Sequence, residues 1–185
     1  MKIMIASDIH GSALWCGRLL EAYRREGADR LLLLGDILYH GPRNALPEDY
    51  APARVADMLN AVAGELLCVR GNCDSEVDQV VLSFPIMAEY CILWAGSRMI
   101  FATHGHVFNE GTPPKLKRGD ILLHGHTHVP LCREREDFLC VNPGSVSIPK
   151  EGSWRGYMTL DDGGLVWKTL DGEEKMRKPF SPALG

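Results

Sequence analysis

Short apolar runs recur along the first part of the chain, and each stops abruptly at a polar cluster. Lys2–Ser7, Leu31–Leu34 and Glu65–Val69 are too short for buried helices and suit strands covered on both faces. Between them the spacing becomes helical. Ser12 is placed to cap a helix running to about Glu26, with Leu14, Trp15, Leu19 and Tyr23 as its inward stripe and Gly27 as its stop. Arg54–Ala63 carries a second stripe, Val55, Met58, Leu59 and Val62, closed by Gly64. From Ile37 to Pro52, three prolines interrupt any periodicity and predict a long surface loop of the kind that often carries function. Alternating strand and helix predicts a parallel sheet, whose ligands bind beyond the carboxyl ends of the strands.

The rhythm then changes. Ile86–Trp94 and Arg98–Thr103 predict a hairpin around Ala95-Gly96-Ser97, and Asp120–Leu123 predicts another strand. Pro130–Arg135 and Phe138–Val141 predict a hairpin about Glu136-Asp137. Gly156–Leu160 and Leu165–Leu170 flank the turn Asp161-Asp162-Gly163-Gly164. After Asp171 the chain turns polar, which predicts a fraying tail from about residue 172. With no repeat and no linker, residues 1–185 are expected to form one α/β domain. Its two halves would give two sheets packed face to face with helices outside.

The candidate chemistry sits where the apolar runs stop. His124, His126 and His128 fall within five residues. In an extended segment they would project to one side, with Gly125 permitting close backbone approach. A solvated polar loop is the plainer alternative. Asp8, His10, Asp36, Asn72 and His104 each follow a strand-like run and would meet at one end of the sheets. Together with His126 and His128 they offer carboxylate, amide and imidazole donors without thiolate. That set suits manganese, iron, zinc, nickel or cobalt better than calcium. Seven donors exceed one tetrahedral site and fit two metals sharing a carboxylate. Such pairs, roughly 3.5–4 Å apart, clamp phosphoryl groups during in-line displacement. The donor set therefore points to a binuclear metallohydrolase acting on phosphoryl groups.

Asp8-Ile9-His10, Gly35-Asp36, Gly71-Asn72-Cys73-Asp74, His104-Gly105-His106 and Gly125-His126-Thr127-His128 resemble, in order and spacing, the five signature blocks of the calcineurin-like metallophosphoesterases. His40–Pro47, Arg70–Gln79 and Asn142–Lys150 are similar to stretches of the family's small, capless bacterial phosphodiesterases. Little resemblance extends past Arg155. The resemblance implies a four-layer α/β/β/α sandwich of two mixed sheets flanked by helices. It implies one metal on Asp8, His10, Asp36 and His128, and another on Asp36, Asn72, His104 and His126, with Asp36 shared. It also implies in-line attack by the bridging hydroxide on a small phosphodiester. Asp36, Asn72, Cys73, Asp74 and His104 form the implied catalytic group, and Asp74 would orient a ligand or a histidine. Manganese is the expected ion, with iron, zinc, nickel, cobalt or magnesium as alternatives.

Cys73 is a departure, because many members of the superfamily carry histidine there. A thiol is a poorer acid at neutral pH, which predicts a preference for good leaving groups. A residue that only packs beside the site is the plainer alternative. His106 and His124 adjoin ligands and are expected behind or around them. His40 and Arg43 could reach substrate, with structural or subunit-contact roles as the favoured reading, and Ser145 and Lys150 are candidate phosphate contacts.

Composition narrows the field. A net charge of −4 and a pI of about 6.0 argue against a general grip on nucleic acid, so a nuclease is the less favoured enzyme. The six cysteines form no C-x-x-C pair and are read as reduced thiols of a cytoplasmic protein. No leader and no membrane span is expected. A homo-oligomer, dimer or tetramer, is expected. A noncatalytic scaffold, as in a retromer coat subunit that the fold resembles, is the alternative from another class; the full donor set weighs against it.

Overall fold

The computed structural model describes residues 1–180. Strand β1 (Ile3–Ala6) leads to helix α1 (Ala13–Glu26), then β2 (Arg30–Leu33), α2 (Pro52–Asn60), β3 (Leu66–Cys68) and α3 (Glu76–Val81). Strands β4 (Tyr90–Ala95), β5 (Arg98–Thr103), β6 (Asp120–Leu123), β7 (Leu131–Glu134) and β8 (Phe138–Asn142) follow. The series ends with β9 (Gly156–Asp161), β10 (Gly164–Thr169) and β11 (Glu174–Pro179).

The expected arrangement of two mixed sheets with flanking helices is present. One sheet has the order β11-β10-β9-β1-β2-β3 and the other β4-β5-β6-β8-β7. β1, β2 and β3 run parallel, as do β5, β6 and β8. The carboxyl ends of both parallel sets deliver the donor-bearing loops. Between the sheets lies a core that includes Ile5, Leu32, Leu34, Ile100, Leu123 and Trp167. The Trp167 indole donates to the Asn142 carbonyl at 2.7 Å, so its one polar atom is satisfied inside that core. A second core joins β1 and β2 to α1 and α2. The outer face of the other sheet, at Phe101, Leu122 and Cys140, is covered in part by Phe108 and Leu116. These two come from the 104–119 loop, which holds two adjacent prolines and takes no helical turn.

The predicted boundaries of α1 hold. Ser12 Oγ accepts from the Trp15 amide at 3.3 Å, and Gly27 closes the helix at φ 57°. Its inward face differs from the predicted stripe. Ala13, Cys16, Leu19, Leu20, Ala22 and Tyr23 are buried, Trp15 is partly buried and Leu14 is exposed.

Four further expectations need correction. The strand read from Ile86 begins only at Tyr90; Ile86 is fully buried in the helix-side core. α3 was not expected, because six residues are too few to show a period. It is defined instead by a capping box between Ser75 and Asp78. The two halves of the chain do not make the two sheets, since β9–β11 return to the first sheet, with β9 antiparallel to β1. The polar stretch after residue 172 does not fray, because Glu174–Pro179 pairs with β10. An edge strand wet on both faces carries charge and proline, so it has no apolar signature. The rest of that predicted tail, residues 181–185, lies outside the described residues. No helix among the described residues is long and apolar enough to cross a membrane.

A largely buried carboxylate ties the end of α1 to the residue before β1 and to β9 and β10. Glu26 accepts from Lys2 Nζ at 2.6 Å, Lys168 Nζ at 2.7 Å and Tyr157 OH at 2.7 Å. Burial alone would raise its pKa, but these hydrogen bonds pull it down to about 2. A depressed carboxylate stabilises the fold above its unfolded pKa, near 4.5, and that stability is lost as pH falls from there toward 2. Glu26→Gln is therefore expected to lower Tm at pH 7 and to flatten the acid-side decline between roughly pH 4.5 and 2. Thermal melts across that range check it, and an unchanged acid slope would refute it.

Candidate metal centre

Of the seven donors, Asp36, Asn72, His126 and His128 line one cavity of about 440 Å³ together with Cys73, and Asp8, His10 and His104 are buried beside them. Asp8 and His10 come from the loop after β1, Asp36 from that after β2 and Asn72 from that after β3. His104 follows β5, and His126 and His128 follow β6. Asp8, His10, Asp36, His104 and His128 are buried, and His126 is half-buried.

The backbone there is bent out of its ordinary range. Asp8, His10, Asp36, His126 and His128 all have φ between 50° and 66°. Among the described non-glycine residues only Asp49 and Glu151 share this. Left-handed backbone costs a side chain roughly 1–2 kcal/mol and persists where the surroundings fix it. This overturns the extended reading of 124–128. The left-handed turns send His128 toward Asp8 and His10, and His126 toward Asp36 and His104, so the three histidines do not converge on one spot. His124 turns away into the interior, beside Asn142.

Hydrogen bonds define which ring nitrogens face the cavity. His10 Nδ1 donates to the Tyr39 carbonyl at 2.8 Å, His104 Nδ1 to that of Leu34 at 2.6 Å and His128 Nδ1 to that of Ile148 at 2.6 Å. Each neutral ring then presents a bare Nε2. The Nε2 atoms of His10 and His128 face each other at 3.3 Å, with Asp8 Oδ1 at 3.5 and 3.3 Å. Opposite them, His104 Nε2 lies 3.2 Å from His126 Nδ1, 3.0 Å from Asn72 Oδ1 and 3.4 Å from Asp36 Oδ2. Apposed lone pairs repel unless a proton or a cation lies between them. Asp8 Oδ1 is buried with no hydrogen-bond partner. These donors fit divalent metal. Asp36 Oδ2 is 3.7 Å from His10 Nε2 as well, so one carboxylate oxygen faces both groups.

Electrostatics follow the same division. Burial would raise Asp8, but the imidazoles of His10 and His128 beside Oδ1 and the field of His104 hold it well below the carboxylate range. Burial would lower His104; its bond to Asp36 and the charges of Asp8 and Asp36 bring it up to about 9. Burial, then the His104 charge, push His126 down to about 4. The imidazolium of His104 thus offsets part of the charge of the two carboxylates, and a metal ion must displace its proton.

Much of the support for this geometry had no signal in the sequence. Ser7 Oγ donates to Asp8 Oδ2 at 2.6 Å, and the His126 amide to the same oxygen at 3.1 Å, which leaves Oδ1 for the cavity. Asp74 makes no hydrogen bond to a histidine among the described residues. It accepts from the amides of Asp36, Ile37 and Gly71 at 2.8, 2.9 and 2.7 Å and so fixes the backbone of Asp36. A Cβ on Gly71 would lie 2.1 Å from Asp36 Oδ1, and one on Gly125 1.9 Å from Ser7 Oγ, so both glycines are required by close approach. Ser145 is not placed for phosphate. Its hydroxyl donates to the Asp8 carbonyl at 2.9 Å, alongside Ser147 at 3.0 Å. His106 is exposed at the rim, 5.4 Å from the His104 ring centroid, and His40 packs edge-on to Tyr39 and Tyr50.

Removing the Ser7 hydroxyl frees Asp8 to rotate. Ser7→Ala is expected to weaken divalent metal binding about 10- to 100-fold while the fold persists. Titration calorimetry measures this, and unchanged affinity would show that Ser7 does not orient Asp8.

The similarity of the chain to known proteins agrees with this geometry. Residues 1–162 match the family model described as the calcineurin-like phosphoesterase superfamily domain. The phosphodiesterase YfcE of Escherichia coli K12 is 52% identical over 162 residues, covering 88% of either chain. The solved structure of E. coli YfcE, described as a phosphoesterase, superposes with a TM-score of 0.94 at 47% identity, over 98% of this chain and 100% of that one. A single mutant of Vps29 from Entamoeba histolytica shares the fold alone, with a TM-score of 0.59 at 21% identity over 98% of this chain and 100% of that one. The chain belongs to the calcineurin-like phosphoesterase superfamily.

Proposed function

We propose that the chain is a metal-dependent phosphodiesterase with two divalent ions. Asp8, His10, Asp36 and His128 would hold one, and Asp36, Asn72, His104 and His126 the other. The observation that carries this reading is the pair of lone-pair clusters with Asp36 Oδ2 facing both. The relationship to YfcE, a phosphodiesterase, supports the substrate class. Bound ions would supply hydroxide at neutral pH for in-line attack at phosphorus, and would neutralise the phosphoryl oxygens.

The chain's own residues do the rest. The carbonyls of Leu34, Tyr39 and Ile148 fix the ring orientations, and Asp74 holds the backbone that carries Asp36. Cys73 Sγ accepts from Asn72 Nδ2 at 3.2 Å at the cavity wall. Burial, then the Asp36 charge, push its thiol up to about 12, so it holds its proton too tightly to act as a good acid. Leaving groups that need no proton are thus favoured.

Two measurements follow. Chelator-stripped protein should hydrolyse bis(4-nitrophenyl) phosphate only when manganese or a similar ion is restored, and Asp36→Asn should lose roughly two orders of magnitude or more. Folded protein inactive with every divalent ion would refute the enzyme reading and leave the scaffold. Cys73→His should speed alkyl diesters, whose leaving groups need a proton, by about tenfold or more relative to nitrophenyl diesters. An equal effect on both series would assign Cys73 to packing.

A further inference from the structure

The metal-centre cavity has a second chemical feature. Besides the donors, Arg43 and Lys150 line it, from two separate loops. Their backbones are pinned. Around Arg43, Asn44 Nδ2 donates to the His40 carbonyl at 2.8 Å, and the Asn44 amide to that of Gly41 at 3.4 Å. The Lys150 amide donates to the His128 carbonyl at 3.2 Å, and its own carbonyl accepts from Ser153 Oγ at 2.6 Å. Lys150 is thus one main-chain hydrogen bond from a candidate ligand.

Arg43 and Lys150 form no ion pair among the described residues, and both are exposed. Lys115, Lys117 and Arg118 also lack an ion pair among the described residues, but Arg43 and Lys150 are the cations that line this cavity. The one carboxylate lining the cavity is Asp36, which faces the histidines. In a chain of net charge −4, two cations without a carboxylate partner stand together at the mouth of the candidate site. Neither is within the donor sets for metal, so their charge is available to substrate. A guanidinium fork and an ammonium together suit an oxyanion, and a terminal phosphate of charge about −1.5 to −2 matches two cations.

We propose that the substrate is a phosphodiester carrying a second, terminal phosphate on the alcohol that is not released, and that Arg43 and Lys150 hold that phosphate at the cleft mouth. This rests on the phosphodiesterase reading. It also reassigns Arg43 from a structural or subunit contact to a specificity residue. The scissile bond is unchanged: water adds across the ester to the leaving alcohol, and the terminal phosphate stays on the retained group.

The test is a matched pair of nitrophenyl diesters. In one the second ester is 2-methoxyethyl; in the other a phosphoryl group replaces the methyl group. With manganese-loaded protein at low salt, the phosphorylated diester is expected to show at least a tenfold higher kcat/KM, mostly through KM. That ratio should fall toward one in Arg43→Gln/Lys150→Gln, and in wild type as salt is raised. Lys115→Gln, exposed on the 104–119 loop and outside the cavity, removes a charge without touching the site and should keep the ratio. Equal kcat/KM for the two diesters in wild type, or a ratio surviving in the double variant, overturns the proposal and leaves the phosphodiesterase reading standing. Failure to cleave either diester with any divalent ion overturns both.

Discussion

The structure depends on three hydrogen bonds from imidazole to main-chain carbonyl. By giving Nδ1–H to Tyr39, Leu34 and Ile148, the rings of His10, His104 and His128 are locked in one tautomer and one orientation. Their remaining nitrogens then point at one another or at neighbouring donors across a buried space. Such an arrangement is stable only with a proton or a cation between the lone pairs. The protonation of His104 and the depressed pKa of Asp8 answer that need without metal. Metal answers it by replacing the proton.

Holding these rings requires the backbone to accept five left-handed residues in a small volume. Their combined cost is several kcal/mol, on the order of 1–2 kcal/mol each. The two-sheet core keeps the loops in place. Trp167 and its neighbours fix the carboxyl ends of β1, β2, β5 and β6 against one another. Asp74, Ser145 and Ser147 then bind the main chain of Asp36 and Asp8. A rigid pair of sheets with strained loops at one end is a common way to build a precise polar site.

The parts legible in the sequence are those whose cause is local. β1, β2 and β6 show as apolar runs because both faces are largely buried, and α1 shows through Ser12 and Gly27 at its ends. The donors were legible because each follows such a run. What was hidden depends on partners far along the chain. Ser145 binds a carbonyl 137 residues away, so nothing near it marks the role. β11 is an edge strand defined by its neighbour, and β9 reaches the first sheet across most of the chain. The 124–128 cluster misled because alternation implies a strand, whereas His126 and His128 are left-handed. That Arg43 lines the cavity was hidden for the same reason: its place depends on loop geometry that residue order does not carry.

The central claim is a carboxylate shared between two metal ions, and electron paramagnetic resonance of the manganese-loaded protein tests it most directly. Two ions per chain with an exchange-coupled spectrum are expected, reverting in Asp36→Ala to the sextet of isolated manganous ions. A single ion per chain, or two uncoupled ions in the wild-type protein, would contradict it.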